Sequence, residues 1–105
     1  MDYYPEVLQV IPTRDYKVYI YFDDGTIRLY DASELVKQGV FQQLQHDDLF
    51  VETCSVLNNT LAWTPDKSYS PWTCLDIDPV NLYNNCTIVD EPHEFFQAKE
   101  DNYAR

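Results

Sequence analysis

Two alternating segments separated by an aspartate-glycine pair dominate the pattern of apolar and polar positions. The first segment reads KVYIYF over residues 17–22, and the second reads IRLYD over residues 27–31. Alternation with a period of two is typical of β-strands, and Asp-Gly between such strands is typical of a two-residue hairpin turn. The pattern therefore predicts a hairpin in which Phe22 faces Ile27 and Ile20 faces Leu29.

This register sorts the side chains of the hairpin onto two faces. Opposite residues of an antiparallel pair point to the same side of the sheet, so the four apolar residues share one face. The second face is aromatic and basic, with Tyr21 opposite Arg28 and Tyr19 opposite Tyr30. A shift of one residue would mix the two sets.

A short helix is predicted directly after this hairpin. Asp31 is a favourable N-cap, and Glu34 completes a capping box three residues later. Gly39 ends the helix, since glycine adopts a positive φ freely. The helix thus covers residues 32–38, with Leu35 as its apolar anchor, and it is too short to be stable without packing.

The flanking segments predict a further strand and a buried connection. Residues 7–11 alternate weakly and stop at Pro12, which indicates the first strand. After the helix, residues 47–50 are expected to form one helical turn capped by an aspartate. The apolar residues between them are expected to be buried, and they are Val40, Phe41 and Leu44.

A second hairpin is predicted around the two asparagines at residues 58–59, which tolerate left-handed backbone. In it Val56 faces Leu61 and Cys54 faces Trp63, so that Cys54 is a small core residue. A surface loop follows over residues 64–72, because two prolines and several polar residues do not pair well in a sheet.

The end of the chain predicts one more strand and one more helix. Residues 74–77 form the strand, and Asp78 followed by Pro79 is typical of an N-cap and the first helical position. We expect an α+β fold, an antiparallel β-meander sheet with two or three short helices, in a single domain over residues 1–86. For residues 87–105, an acidic tail and a docked terminal helix both stay open.

Composition narrows the class of function. The chain has 105 residues, and 18 acidic against 7 basic residues give a net charge of −11. Such a charge repels phosphate backbones, so direct nucleic-acid binding is disfavoured, and we interpret the charge first as a source of solubility. We expect a cytoplasmic protein, because no apolar run is long enough to span a bilayer and the N-terminus lacks a signal pattern.

Residues that carry chemistry are few. His46 beside Asp47 and Asp48 is the strongest metal or acid/base candidate, and His93 lies between two glutamates, but each cluster has one histidine. The three cysteines lack close CxxC spacing and are expected to be reduced thiols. Both glycines serve backbone geometry, so no phosphate loop is predicted. We therefore expect no cofactor and no bound metal.

The best binding candidates are aromatic. Tyrosine and tryptophan favour protein interfaces, although strand propensity alone also enriches tyrosine in sheets. We predict a partner surface on the second face of the first hairpin or on the surface loop. The candidate residues are Tyr19, Tyr21, Arg28 and Tyr30 on the hairpin and Tyr69 and Trp72 in the loop.

The chain resembles a small bacterial family known as domain of unknown function 2442. The resemblance spans about residues 5–86 and rests on many weak positions. They are Asp15, Tyr16, Phe22, Asp24, Gly25, Asp31, Leu35, Gly39, Phe41, Leu44, Phe50, Trp63, Asp76, Ile77, Leu82 and Tyr83. It implies a small α+β domain, found alone or ahead of a helix-turn-helix domain. Members look like partners of small neighbouring proteins in suspected toxin-antitoxin pairs, which implies an antitoxin-like role.

Two features depart from that family. The segment between Trp63 and Asp76 is longer than the resemblance implies, and the residues after Cys86 are too few and too acidic for an appended DNA-reading domain. Our main hypothesis is a non-enzymatic interaction module that binds a protein partner. The alternatives are a small metal-dependent or acid/base enzyme using His46 with Asp47 and Asp48, and a self-associating homo-oligomer.

Overall fold

The computed structural model describes residues 3–92, which form seven strands, two short α-helices and two 3₁₀ helices. The strands are β1 (Val7–Pro12), β2 (Lys17–Phe22), β3 (Ile27–Asp31), β4 (Ser55–Leu57), β5 (Thr60–Trp63), β6 (Leu75–Asp76) and β7 (Thr87–Ile88). The α-helices are α1 (Leu49–Glu52) and α2 (Pro79–Asn85), and the 3₁₀ helices cover Leu35–Lys37 and Gly39–Gln45.

The strands form two antiparallel sheets, one of order β1-β2-β3-β7 and one of order β4-β5-β6. The predicted α+β class is confirmed, and the meander is divided between two sheets. Val7 donates a backbone hydrogen bond to the Asn59 carbonyl at 3.0 Å, which joins the first sheet to the hairpin tip of the second. A β-bulge between Val7 and Gln9 bends β1 at this point.

The predicted register of the first hairpin is wrong by one residue. Tyr21 lies opposite Ile27, Ile20 opposite Arg28, Tyr19 opposite Leu29 and Val18 opposite Tyr30. The reason is the loop, which has three residues instead of two. Phe22 and Thr26 close it through a bond from the Phe22 amide to the Thr26 carbonyl at 3.0 Å.

Gly25 makes this longer loop possible. Its φ of +88° is the left-handed position that ends a three-residue hairpin loop in a one-residue bulge. The Gly25 amide donates to the Phe22 carbonyl at 3.1 Å, and Asp24 Oδ1 accepts from the Thr26 amide at 2.9 Å. The sequence Asp-Asp-Gly suits both loop lengths, so the turn residues alone do not choose between them.

The second hairpin is confirmed as predicted. Val56 pairs with Leu61, and the two turn residues, Asn58 and Asn59, have φ values of +54° and +61°. Cys54 packs against the core, also as predicted.

The core lies between the two sheets and the short helices. Trp63 is its largest fully buried side chain, and its indole Nε1 donates to the Phe50 carbonyl at 3.1 Å. Every residue of β5 is buried, because this strand is central in its sheet. The buried apolar cluster consists of Val7, Val18, Ile20, Phe22, Ala32, Val36, Leu44, Phe50, Leu61, Trp63 and Leu82.

The helix predicted for residues 32–38 is instead a 3₁₀ helix over Leu35–Lys37. The Asp31 carboxylate does accept from a backbone amide, that of Ser33, at 2.9 Å, but Glu34 bonds Lys37 and completes no capping box. Gly39 has the expected positive φ of +48° and begins a second 3₁₀ helix.

Burial in this region follows the tighter winding of the 3₁₀ helices. Val36 is buried and Leu35 only half-buried. Of the three residues predicted to be buried here, Leu44 is buried and Phe41 is half-buried. The prediction is wrong for Val40, which is 57% exposed. The helical turn α1 is confirmed, and Asp48 occupies its N-cap position. The Asp48 side chain makes no capping hydrogen bond, however, and pairs with Arg14 at 3.2 Å.

Helix α2 begins as predicted, with Asp78 Oδ1 accepting from the Val80 amide at 3.1 Å and Pro79 at the first position. Beyond it, β7 pairs with β3, a strand that the sequence patterns do not predict. Of residues 87–105, for which a tail or a terminal helix is predicted, residues 87–88 form β7, and the part beyond residue 92, with His93, lies outside the described residues.

Candidate functional site

The predicted tyrosine surface is divided between the two faces of the first sheet. Since opposite residues share a side, Tyr19 and Tyr21 lie with Leu29 and Ile27, away from the core. Arg28 and Tyr30 lie on the core side, opposite Ile20 and Val18. The one-residue shift is the cause, and these four candidate residues do not form one surface.

Arg28 is engaged inside the fold. Its guanidinium carbon lies 3.8 Å from the centroid of the Tyr83 ring and 5.8 Å from that of Phe22. Arg28 Nη1 also donates to the Tyr83 carbonyl at 2.9 Å. Tyr30 is half-buried against the core, and this burial raises the pKa of its phenol.

On the outer face of the first sheet, Tyr19 and Tyr21 are both half-buried. Ile11, opposite Tyr19, is only 5% exposed, and the Tyr21 hydroxyl is buried without a hydrogen-bond partner among the described residues. Burial raises the pKa of Tyr21, and the nearby Glu91 carboxylate raises it further. Neither tyrosine is therefore freely presented to a partner.

The surface loop is confirmed and is held by its own polar side chains. We call residues 64–74 the Trp72 loop. Asp66 accepts from the Ser68 amide at 3.0 Å, the Ser68 hydroxyl from the Ser70 amide at 3.2 Å, and the Ser70 hydroxyl from the Trp72 amide at 3.2 Å. Each step is a short side-chain turn that fixes the backbone two residues later.

Contacts at both ends fasten the Trp72 loop to the rest of the protein. On one side, the Tyr69 hydroxyl donates to the Glu52 carbonyl at 3.1 Å, and Lys67 pairs with the Glu52 carboxylate at 3.1 Å. On the other side, the Asn58 side-chain amide donates to the Pro71 carbonyl at 3.1 Å. The Trp72 loop is thus ordered by these contacts.

Trp72 is displayed at the end of this loop. Its side chain is 92% exposed, whereas Tyr69 is 46% exposed and uses its hydroxyl within the fold. Tryptophan is one of the residue types enriched among the anchors that are buried when proteins associate. Of the predicted candidates, Trp72 is the one that the fold leaves fully accessible.

A cleft of about 400 Å³ adjoins the loop. It lies between the start of β1, the tip of the second hairpin and the start of α2. Among the residues that the structure describes, this lining carries three carboxylates and no lysine, arginine or histidine. The lining residues are Tyr4, Glu6, Asn58, Asn59, Thr60, Asp76, Ile77, Asp78 and Pro79.

Sequence reasoning missed this cleft. It singled out Asp78 as a helix cap, Asn58 as a turn residue and Asp76 only as a position of the family resemblance. Glu6 is brought to them by the bond between β1 and the hairpin tip, a contact across some fifty positions of the chain. No local pattern signals such a contact.

The residues predicted for a metal or acid/base site lie at the protein surface. His46, Asp47 and Asp48 are all exposed, and Asp48 is paired with Arg14. Within residues 3–92, no three histidine, cysteine or acidic side chains are placed to hold a metal ion. The small cavity of about 50 Å³ near α1 is lined by Arg14, Tyr16 and Asp48 among others, but His46 and Asp47 are not in its lining.

The cysteine thiols are free in the structure, and burial makes them poor nucleophiles. Desolvation raises the pKa of Cys54 to about 12 and that of Cys86 to about 11. The Cys74 pKa is raised as well, by burial and by the Asp76 carboxylate. Nucleophilic catalysis needs a lowered thiol pKa, so these sites are unsuited to it.

A family model described as a protein of unknown function (DUF2442) matches residues 7–87. No curated protein matches the chain. Among solved structures there is likewise no match. In the part of the chain that the structure describes, no helix has the length and apolar character that crossing a membrane requires.

Proposed function

The chain belongs to the DUF2442 family, which is described as being of unknown function. From the geometry of the chain itself, we propose that it is a protein-interaction module. It acts without catalysis and binds a protein partner through the Trp72 loop. The observation that carries the proposal is the 92% exposure of Trp72 on a loop whose backbone is fixed by hydrogen bonds.

Two physical arguments support this function. A large exposed aromatic side chain gains apolar burial when a partner covers it, and such residues dominate the energetics of protein interfaces. A loop that is already ordered loses less conformational freedom on binding than a disordered one. The Tyr69 and Asn58 contacts supply that order here.

An antitoxin-like role is a narrower form of the same proposal. In that form the partner is a small neighbouring protein, and the site of action is the cytoplasm. The family resemblance supports it, and the net charge of −11 fits a protein that contacts other proteins and not nucleic acid directly.

The test is capture of a partner by the tagged full chain in its native host after cross-linking, followed by mass spectrometry. We expect one stoichiometric partner with the wild-type chain and at least about tenfold less with Trp72→Ala, since interface anchors contribute about 2 kcal/mol or more. The control is Val40→Ala, which removes another exposed apolar side chain, 57% exposed and outside the loop, and should retain the partner.

Two results contradict the proposal: no stoichiometric partner, or equal capture by the Trp72→Ala and wild-type chains. The remaining possibility is that the partner is a second copy of the chain, and the mass of the purified chain in solution tests it. A homo-oligomer that Trp72→Ala converts to a monomer identifies a second copy as the partner.

A further inference from the structure

We propose that the Trp72 loop and the adjoining cleft form one docking surface for a linear basic segment of a partner protein. An apolar side chain of that segment packs on Trp72, and a lysine or arginine next to it enters the cleft. This inference rests on the proposed function and specifies the chemistry of the partner.

Continuity of the two features is the first argument. The Asn58 side-chain amide donates to the Pro71 carbonyl at 3.1 Å and lies 3.4 Å from Asp76 Oδ2. Asn58 and Asp76 line the cleft, and Pro71 directly precedes Trp72 in the loop. An extended peptide advances about 3.3 Å per residue, so a few residues are enough to contact both features.

The second argument is charge. Glu6, Asp76 and Asp78 line the cleft, and none of the other lining residues within 3–92 is a lysine, arginine or histidine. The lysines and arginines of residues 3–92 are engaged elsewhere: four pair with carboxylates outside the cleft, and Arg28 stacks on Tyr83. The negative potential of the cleft is therefore uncompensated by these residues, and the net charge of the chain has the same sign.

Size and spacing favour a long cationic side chain over other occupants. A volume of about 400 Å³ lies within the range of binding pockets, about 300–1,000 Å³. The carboxylates are spread too widely for a metal ion, since no three acidic, histidine or cysteine side chains of the described residues are grouped to hold one. Lysine and arginine carry an apolar stem as well as a charge, and Tyr4 in the lining offers that stem an apolar surface.

The experiment is selection of random peptides of about twelve residues on the immobilised full chain, a length that spans both features. The selected peptides are then synthesised, and their affinities are measured by fluorescence anisotropy against wild type, Trp72→Ala and a cleft variant. The cleft variant combines Glu6→Gln, Asp76→Asn and Asp78→Asn. Asparagine caps helices as well as aspartate does, so α2 keeps its N-cap.

A control variant removes the same charge elsewhere. It combines Glu34→Gln, Asp47→Asn and Asp90→Asn, all exposed and outside the cleft lining. Thermal unfolding of each variant checks that the fold is retained.

We expect the selected peptides to be enriched in lysine or arginine beside an apolar residue. Both Trp72→Ala and the cleft variant should weaken binding about tenfold, and the control variant less than about twofold. Added salt should weaken binding to the wild type and have a much smaller effect on the cleft variant, because ions screen exposed charges.

The other outcomes overturn the inference in distinguishable ways. Peptides that need Trp72 but lack basic residues, or bind the cleft variant as well as wild type, refute the cleft and leave the proposed function standing. Failure to select any peptide, or peptides indifferent to Trp72, refutes the docking surface as a whole. Capture in the native host then decides the proposed function separately.

Discussion

The guanidinium group of Arg28 stacks on the ring of Tyr83, with its carbon 3.8 Å from the ring centroid. The same side chain donates to the Tyr83 carbonyl, so one residue of β3 is tied to α2 by both a cation–π contact and a hydrogen bond. This relationship exists only because the first hairpin places Arg28 on the core side of the sheet.

Replacing Arg28 should therefore reduce stability. Arg28→Ala should lower the free energy of unfolding by about 2 kcal/mol, because it removes both contacts. Arg28→Lys should lower it by about 1 kcal/mol, since an ammonium lacks the planar group that stacks. Urea denaturation measures both values. Lys37→Ala, which breaks only an exposed ion pair, is the control and should change little; an equal loss in all three variants would refute the specific role of Arg28.

The bond between Tyr83 and Asp24 should make stability depend on pH. The Tyr83 hydroxyl donates to Asp24 Oδ2 at 2.6 Å, and this bond is the main cause that lowers the pKa of the Asp24 carboxyl from 3.8. A lowered folded-state pKa gives stability that is present above the unfolded pKa and is lost as the pH falls through the folded pKa. Wild type should thus exceed Tyr83→Phe in stability near neutral pH, and the difference should shrink in acid.

Thermal unfolding midpoints of the two proteins over an acid titration measure this difference. Tyr69→Phe is a matched control, because the Tyr69 hydroxyl donates to a backbone carbonyl and not to a carboxylate. Its difference from wild type should not vary with the titration of Asp24. A Tyr83→Phe difference that stays constant at all pH values would contradict the assignment.

The two tryptophans should behave oppositely in fluorescence. Trp63 is fully buried and Trp72 is 92% exposed, so acrylamide should quench one population readily and the other poorly. Trp72→Phe should remove the readily quenched, red-shifted emission and leave the blue-shifted one. Trp63→Phe should do the reverse and destabilise the fold by about 2–4 kcal/mol, because a core cavity forms and the Phe50 carbonyl loses its donor. A single, uniformly quenched population in wild type would contradict the exposure of Trp72.

The first hairpin should be sensitive to the residue at position 25. Gly25→Ala should cost about 1–2 kcal/mol, because an L-residue with a side chain is strained at a φ of +88°. Gly25→Asn should cost less, since asparagine tolerates left-handed backbone better than alanine. Chemical denaturation of the two variants tests the order, and a larger loss for asparagine than for alanine would argue against the left-handed loop.

Local signals predicted several elements correctly. The asparagine pair at residues 58–59 gave the register of the second hairpin, and Asp78 with Pro79 gave the start of α2. In both cases the deciding interactions lie within a few residues of one another. The surface loop that carries the exposed Trp72 was also predicted correctly, because it is rich in residues that form turns and not sheets.

Local signals could not predict the features that depend on contacts between residues far apart in the chain. The sequence Asp-Asp-Gly fits hairpin loops of two and of three residues, and the structure has the longer loop. The resulting register packs Arg28 against Tyr83 and places Ile27 and Leu29 on the outer face of the sheet. The acidic cleft depends on Glu6 reaching the second hairpin, which no neighbouring residue indicates.

The sequence by itself determined the positions of most strands, of the second hairpin turn and of the start of α2, because alternation, capping and turn chemistry act between near neighbours in the chain. Only the tertiary structure decided the pairing of β2 with β3, the division into two sheets and the position of the cleft beside Trp72. These depend on packing between residues far apart in the chain, and such packing is settled only when the whole core forms.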